Sequence, residues 1–301
     1  MELLLFLSST FRISVPYALA AAGASFSERG GVINIGLEGI LLHGALAYTL
    51  AAYATGNPWA GVLAAAAAGV LTGLLHALVT IRFRADQITS GLGINLLAVG
   101  LTKFVLKEVF HSSSNSSRVE GLPSWSWFGL GDLPLLGTLI GNPLVLITLG
   151  LVILGQWVMF RTPFGLRLRS VGEHPEAAAT LGLSVTGLRT LGVAISGMMA
   201  GLGGAWLASE QHSFTDGMTA GRGYIAIAAM IVGKWTPLGG AAACLLFGAA
   251  EALQIRLQGS GFPSEVLQTL PYVATMVALA GFIGRAVPPR SIGVPYDPEK
   301  P

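Results

Sequence analysis

The chain has 301 residues, with Lys+Arg 17 against Asp+Glu 15, so its net charge is +2 and only 11% of positions are charged, where a soluble domain carries roughly 25%. Apolar residues make up 52%, glycines number 41 and mean hydropathy is +0.68; this excludes a water-soluble globule, a disordered chain and, since the glycines have no three-residue period, a collagen. A single cysteine, Cys244, leaves no disulfide scaffold or cysteine-rich metal site, and the near-neutral charge gives no footprint for nucleic acid.

A membrane-spanning helix needs about 20 apolar residues. Long apolar stretches place crossings near 11–26, 32–55, 58–81, 87–109, 139–160, 189–209, 222–236, 238–257 and 266–284. The expected architecture is an all-α polytopic membrane protein of about nine (8–10) transmembrane helices in one domain over 1–301. No basic flank precedes the first apolar run, so a cleaved signal is not expected. With the N-terminus outside, eleven of the 17 basic residues fall inside, the cluster Arg161, Arg167 and Arg169 being the strongest marker. Arg12, Lys103, Lys107, Arg118, Arg222 and Arg256 then fall outside, and the proline-rich tail 286–301 is a short cytoplasmic extension.

In chain order, Asn34 and Glu38 come first: four apart in the second crossing, they would share a helix face. An ionisable residue in lipid is costly unless it faces a bundle interior or cavity, so Glu38 is a functional candidate. The alternative is that Glu38 pairs with Arg29 or with a helix end near the inner interface. His43 and His76 read as packing residues. Gly69 and Gly73 in the third crossing, and Gly197 and Gly201 in the sixth, are spaced to let helices approach closely. Gln87, Ser90 and Asn95 give the fourth crossing a polar side, and Glu251 with Gln254 does so for the eighth. The seventh, short and bounded by glycine, suits a broken helix. Outer loop 111–136 carries Trp125 and Trp127, suited to the membrane interface.

Loop 161–188 reads as a short helix set between crossings, with Glu173 before it, Pro175 in its first turn, Glu176 at its positive end, Ala177 and Ala178 propagating and Gly182 terminating at positive φ. From physics alone it suits a docking element or a connector lying on the headgroups. No Gly-x-x-x-x-Gly-Lys-Ser/Thr loop is present, so the chain should not hydrolyse ATP itself.

Here the residues carry a resemblance. Glu176-Ala177-Ala178 followed by Gly182 resembles the coupling loop of bacterial ABC importer permeases. Glu28-Arg29-Gly30-Gly31-Val32-Ile33-Asn34-Ile35-Gly36-Leu37-Glu38-Gly39 resembles a signature of the permease family for branched-chain amino acids, simple sugars and nucleosides, most nearly the nucleoside and simple-sugar branch. Asp86 to Asn95 and Gly233-Lys234-Trp235-Thr236-Pro237-Leu238-Gly239-Gly240 extend the match in family order, with Lys234-Trp235 a departure where relatives more often carry a small residue. The resemblance implies alternating access, a cytoplasmic ABC ATPase that carries ATP and Mg and grips the helix around Glu176, an extracytoplasmic binding protein, and a second, related permease chain. Uncharged, hydroxyl-rich cargo would be met by neutral donors and acceptors, with Asn34, Glu38, Gln87, Asn95 and Glu251 as pathway residues. A rival of another class is a proton-coupled secondary transporter using Glu38 and Glu251.

Overall fold

The computed structural model describes residues 2–124, 137, 141–258, 264–277 and 287–297. The described helices are α1 (Glu2–Arg29), α2 (Leu37–Thr55), α3 (Pro58–Ala77), α4 (Gln87–Phe110), α5 (Pro143–Arg161), α6 (Pro163–Glu173), α7 (Pro175–Thr180), α8 (Val185–Gln211), α9 (Arg222–Val232), α10 (Pro237–Leu257), α11 (Ser264–Gln268) and α12 (Leu270–Val277). A π-helical turn, Leu78–Arg82, prolongs α3. No strand occurs among the described residues beyond an isolated bridge between Asn115 and Thr215.

Seven of these helices, α1, α2, α3 with its π turn, α4, α5, α8 and α10, are long and apolar enough to cross a membrane. The expected first crossing starts too late, because α1 runs from Glu2 and spans 28 residues. The expected seventh crossing is the 11-residue α9, about 16 Å of helix against a hydrocarbon core of roughly 30 Å. Residues 278–284 of the ninth crossing, residues 125–136 of the outer loop with Trp125 and Trp127, and residues 286 and 298–301 of the tail lie outside the described residues.

Local chemistry explains where most helices begin. Asn57, Asn142, Thr162, Ser184 and Thr236 each cap a helix by accepting a backbone N–H, and Pro58, Pro143, Pro163 and Pro237 follow four of them at the first helical position. Asp86 caps α4 through the Thr89 N–H at 2.7 Å. That bond, with one from the Thr89 hydroxyl, holds the Asp86 carboxyl below the usual range, so the cap stabilises α4 above its unfolded pKa and is lost as pH falls through its folded pKa. Among the described residues α2 behind Gly36, α7 behind His174 and α9 behind Gly221 lack a side-chain cap of their own.

At the centre of the bundle α8 packs on α1, α2 and α3, while α1 also packs along α10. The α3–α8 contact is glycine against glycine. A methyl at Gly69 would stand 2.1 Å from the Gly197 carbonyl oxygen, one at Gly201 2.3 Å from that of Ala65, and one at Gly73 2.9 Å from that of Val193. Backbones this close have no room for a Cβ, and dispersion between them replaces the hydrophobic drive that lipid removes. Between α9 and α10 the chain turns through Lys234 and Trp235, both at positive φ. Such a conformation costs a non-glycine residue about 1 kcal/mol or more. It is held by α1: Arg29 donates to the carbonyls of Lys234 and Trp235, both at 2.9 Å, and the Trp235 indole donates to Glu28 at 2.6 Å.

The tail expected as a short extension is bound to the bundle over its described residues. Residues 287–297 form a strap across the end of the bundle that carries α6 and α7. The Ser291 N–H donates to the Gly172 carbonyl at 3.0 Å and that of Gly293 to Gly31 at 3.2 Å, while Asp297 pairs with Arg84 at 2.9 Å. Beneath the strap, the Arg189 guanidinium, 2% exposed, donates to Ser291 Oγ and the Val294 carbonyl.

Candidate functional site

Between α1 and α2 the backbone of 30–36 is not helical, although it lies inside the bundle. Irregular backbone at membrane depth is tolerated where protein satisfies its polar groups. Here neighbouring side chains do so. The Ile33 N–H donates to Gln87 Oε1 at 2.7 Å, and the Ile33 carbonyl accepts from His76 Nε2 at 2.8 Å. The Ile35 carbonyl accepts from Asn95 Nδ2 at 3.1 Å, and Val32 accepts from the Ser27 hydroxyl. With Nε2 of His76 donating, its Nδ1 takes the Ser90 hydroxyl at 2.9 Å.

This corrects one expectation. Asn34 does not share a helix face with Glu38, because it sits in the irregular segment before α2; Gly30, Gly31 and Gly36 interrupt the helix that the apolar run suggests. Asn34 is 1% exposed, its Nδ2 donates to Ser196 Oγ at 3.3 Å, and its Oδ1 is buried without a partner among the described residues. His43 Nε2 is likewise buried and unpartnered, its Nδ1 being engaged with Thr72.

A second group of residues gathers at the N-terminus of α9. Helices that start inside a bundle leave unsatisfied N–H groups, and two neighbours cap these ends from outside. Asn95 Oδ1 accepts the Gly39 N–H of α2 at 2.8 Å. Glu38 accepts the N–H groups of Gly221 at 2.8 Å and Gly223 at 2.6 Å, placing a carboxylate on the positive ends of both α2 and α9. Asn95 Nδ2 also donates to the Tyr224 hydroxyl at 2.9 Å. Glu38 therefore meets a helix end, one of the two alternatives its position left open, and not Arg29.

On the other side of α9, Arg222 donates to Glu251 Oε1 at 2.9 Å and the Tyr17 hydroxyl donates to Glu251 Oε2. Arg222 is thus paired and partly buried beside Tyr17 of α1. Tyr17, Arg222, Glu251, Gln254, Gln268 and Tyr272 border a cavity of about 170 Å³. Sequence reading missed Tyr17, Arg222 and Tyr224. The available signal was an arginine opening an apolar stretch with one glutamate in the next crossing, the pairing that lipid demands.

The loop 161–188 folds as two helices, not one. Glu173 closes α6 and accepts the Arg290 N–H of the strap at 3.3 Å, so it precedes the short helix α7 without belonging to it. Pro175 is the first residue of α7, Glu176 lies in its first turn, and Gly182 stands at φ +77° beyond its end. Glu176 and Ala177 are exposed, as is Leu181 at 81%, whereas Ala178 is buried on Val171 and Val185. Ala178 faces the bundle because the period of 3.6 residues turns it away from the exposed side.

Comparison with known proteins bears on what these groups serve. Residues 6–283 match the family described as the branched-chain amino acid transport system permease component. The guanosine ABC transporter permease protein NupQ of Bacillus subtilis is 42% identical, over 96% of this chain and 95% of its own. The nucleoside ABC transporter permease protein NupC of Lactococcus lactis is 39% identical over 94% and 93%. The guanosine permease NupP of Bacillus subtilis is 27% identical over 94% and 83%. With a multi-helix bundle, an apolar surface and this full-length agreement, the chain belongs to the branched-chain amino acid transport system permease family, as a membrane-embedded ABC transporter permease most similar to nucleoside permeases.

Proposed function

We propose that this chain is the transmembrane subunit of an ATP-driven importer for nucleosides or related simple sugars, a single permease domain in a bacterial plasma membrane that works by alternating access. The observation that carries this reading is the near full-length similarity to nucleoside permeases. The geometry supports it. Two buried acceptors, Asn34 Oδ1 and His43 Nε2, would suit a hydroxyl-bearing cargo. The tyrosines and glutamines around the cavity beside α9 offer aromatic faces and amide groups to a nucleobase. Glu38 and Glu251 are both engaged, by the α9 N–H groups and by Arg222 with Tyr17, which favours ATP drive over proton coupling.

In this reading a separate cytoplasmic ATPase binds ATP and Mg and docks on the exposed side of α7, which places α7 and the strap at the cytoplasmic face. An extracytoplasmic binding protein delivers cargo. The second permease is a related but different chain, a reading supported by the two unequal guanosine permeases of Bacillus subtilis.

Two results test this. In vesicles containing both permeases and the ATPase, with the binding protein supplied, ATP should drive uptake of labelled guanosine and not of leucine; uptake that needs a proton gradient and no ATPase would refute the reading. In co-purification from native membranes, Glu176→Arg should release the ATPase from an otherwise folded permease. Ala178→Arg should instead lower the yield of folded protein, since it drives a charge into the Val171–Val185 cluster.

A further inference from the structure

At the end of the bundle that carries α6 and α7, a cleft of about 480 Å³ opens between the end of α3 and the start of α8. Its two walls differ in chemistry. One is apolar: Leu74, Leu78 and Ile81, on a helix whose outer surface also shows Leu71 at 67% and Leu75 at 39% exposure. The other is polar, with Arg82, Arg84, Thr186, Thr190 and the strap residue Tyr296.

The two arginines are not equally committed. Arg84, at φ +54°, pairs with Asp297 of the strap at 2.9 Å. Arg82 is exposed at the end of the π turn and, among the described residues, makes neither hydrogen bond nor ion pair. Among the described residues one carboxylate stands against two guanidinium groups, which leaves a positive charge at the mouth of the cleft. Immediately beside it, the leucine wall continues along the surface of a membrane-crossing helix.

We propose that this cleft binds an anionic phospholipid, with the phosphate at Arg82, headgroup hydroxyls within reach of Thr186 and Thr190, and an acyl chain along Leu74 and Leu78. A free phosphate or a soluble nucleotide would use the cation but gains nothing from the leucines. A zwitterionic lipid would use the leucines but brings its own ammonium against Arg82. Basic pockets between helices at a membrane surface recognise anionic headgroups on these grounds. The inference is independent of the cargo reading, because it concerns the lipid-facing side of α3 and none of the residues around α9.

The test uses the purified full-length chain in neutral detergent, with lipid retention read by native mass spectrometry and thermal midpoint by tryptophan fluorescence. Phosphatidylglycerol should remain bound and raise the midpoint where phosphatidylcholine does neither, and glycerol 3-phosphate should leave it unchanged. Arg82→Gln, which removes no hydrogen bond or ion pair among the described residues, should weaken phosphatidylglycerol binding roughly fivefold, and Arg82→Gln with Arg84→Gln roughly thirtyfold, from about 1 kcal/mol per arginine near an anionic surface. Arg82→Lys should restore most of it. Equal retention of the two lipids, or undiminished binding in Arg82→Gln, would overturn the proposal. A full stabilisation by glycerol 3-phosphate would make this a phosphate site and not a lipid site. Displacement of all lipid by the partner permease would make this wall a subunit interface. The lipid comparison on the unaltered chain needs no variant, so it decides even if the double variant folds poorly.

Discussion

Gly197→Val is expected to leave almost no folded protein. A Cβ at that position would stand 2.3 Å from the Gly69 carbonyl oxygen and 3.2 Å from the Gly73 Cα, and these are backbone atoms of a helix that cannot yield as a side chain does. Valine would force α3 away from α8 along the whole contact, also parting Gly201 from Ala65. Overpacking of this kind costs about 3 kcal/mol. The loss is compounded because lipid offers no hydrophobic penalty to hold separated helices together. Thermal midpoint and monodispersity in detergent are the measurements. Gly150→Ala is the matched control: it lies within α5 with nothing within 4 Å of its added methyl, and it should hold or slightly raise the midpoint. A Gly197→Val protein that melts with the wild type would show that the two helices do not meet in this way.

Glu38→Ala is expected to abolish uptake and to destabilise the bundle by about 3 kcal/mol, since two charge-assisted hydrogen bonds at about 1.5 kcal/mol or more each disappear. Two N–H groups of the α9 N-terminus would be left inside the membrane with no acceptor. Glu38→Gln should fall between alanine and wild type, because an amide supplies one carbonyl oxygen but turns an NH₂ group towards the second donor. Gly223→Ala should resemble Glu38→Ala from the opposite side: its Cβ would stand 2.4 Å from the Glu38 backbone nitrogen, so α9 would have to withdraw from the carboxylate. Wild-type stability and uptake in Glu38→Ala would remove the capping role altogether. Wild-type stability with lost uptake would instead give Glu38 a part in handling cargo.

The helices were legible because their signals are local. Cap and proline pairs such as Asn57-Pro58 and Thr236-Pro237 mark starts within one residue, and apolar length marks spans; Thr162-Pro163 carries the same signal for α6, which a single-helix reading of loop 161–188 passes over. The break between α1 and α2 was legible only as far as Gly31: Val32, Ile33 and Ile35 read as the start of the next crossing, and what stabilises irregular backbone there are Gln87, Asn95 and His76, which come from other helices. The same reason hid the ends of α2 and α9. A helix that caps itself shows its cap in its own sequence, whereas a helix capped by Asn95 or Glu38 from a neighbour shows only glycine. At the other end, the exposed and buried sides of α7 could not be told apart from Glu176-Ala177-Ala178 alone, because both alanines suit either side and only the contact with Val171 and Val185 distinguishes them. The polar residues were thus found by type, and the partners of Glu38 and Glu251 required the fold.

The strap sets an order of assembly. Gly31, at the end of the first helix, and Arg189, at the start of α8, wait for hydrogen-bond partners that belong to Gly293, Ser291 and Val294. Those residues follow all seven long helices in the chain. During synthesis the seven long helices can enter the membrane one by one, but the Arg189 guanidinium lacks these partners until residues 291–294 have been made. Closure of this end of the bundle is therefore the step that follows insertion of the helices. A chain halted before residue 291 would hold its helices and expose the bare end of the bundle to quality-control proteases.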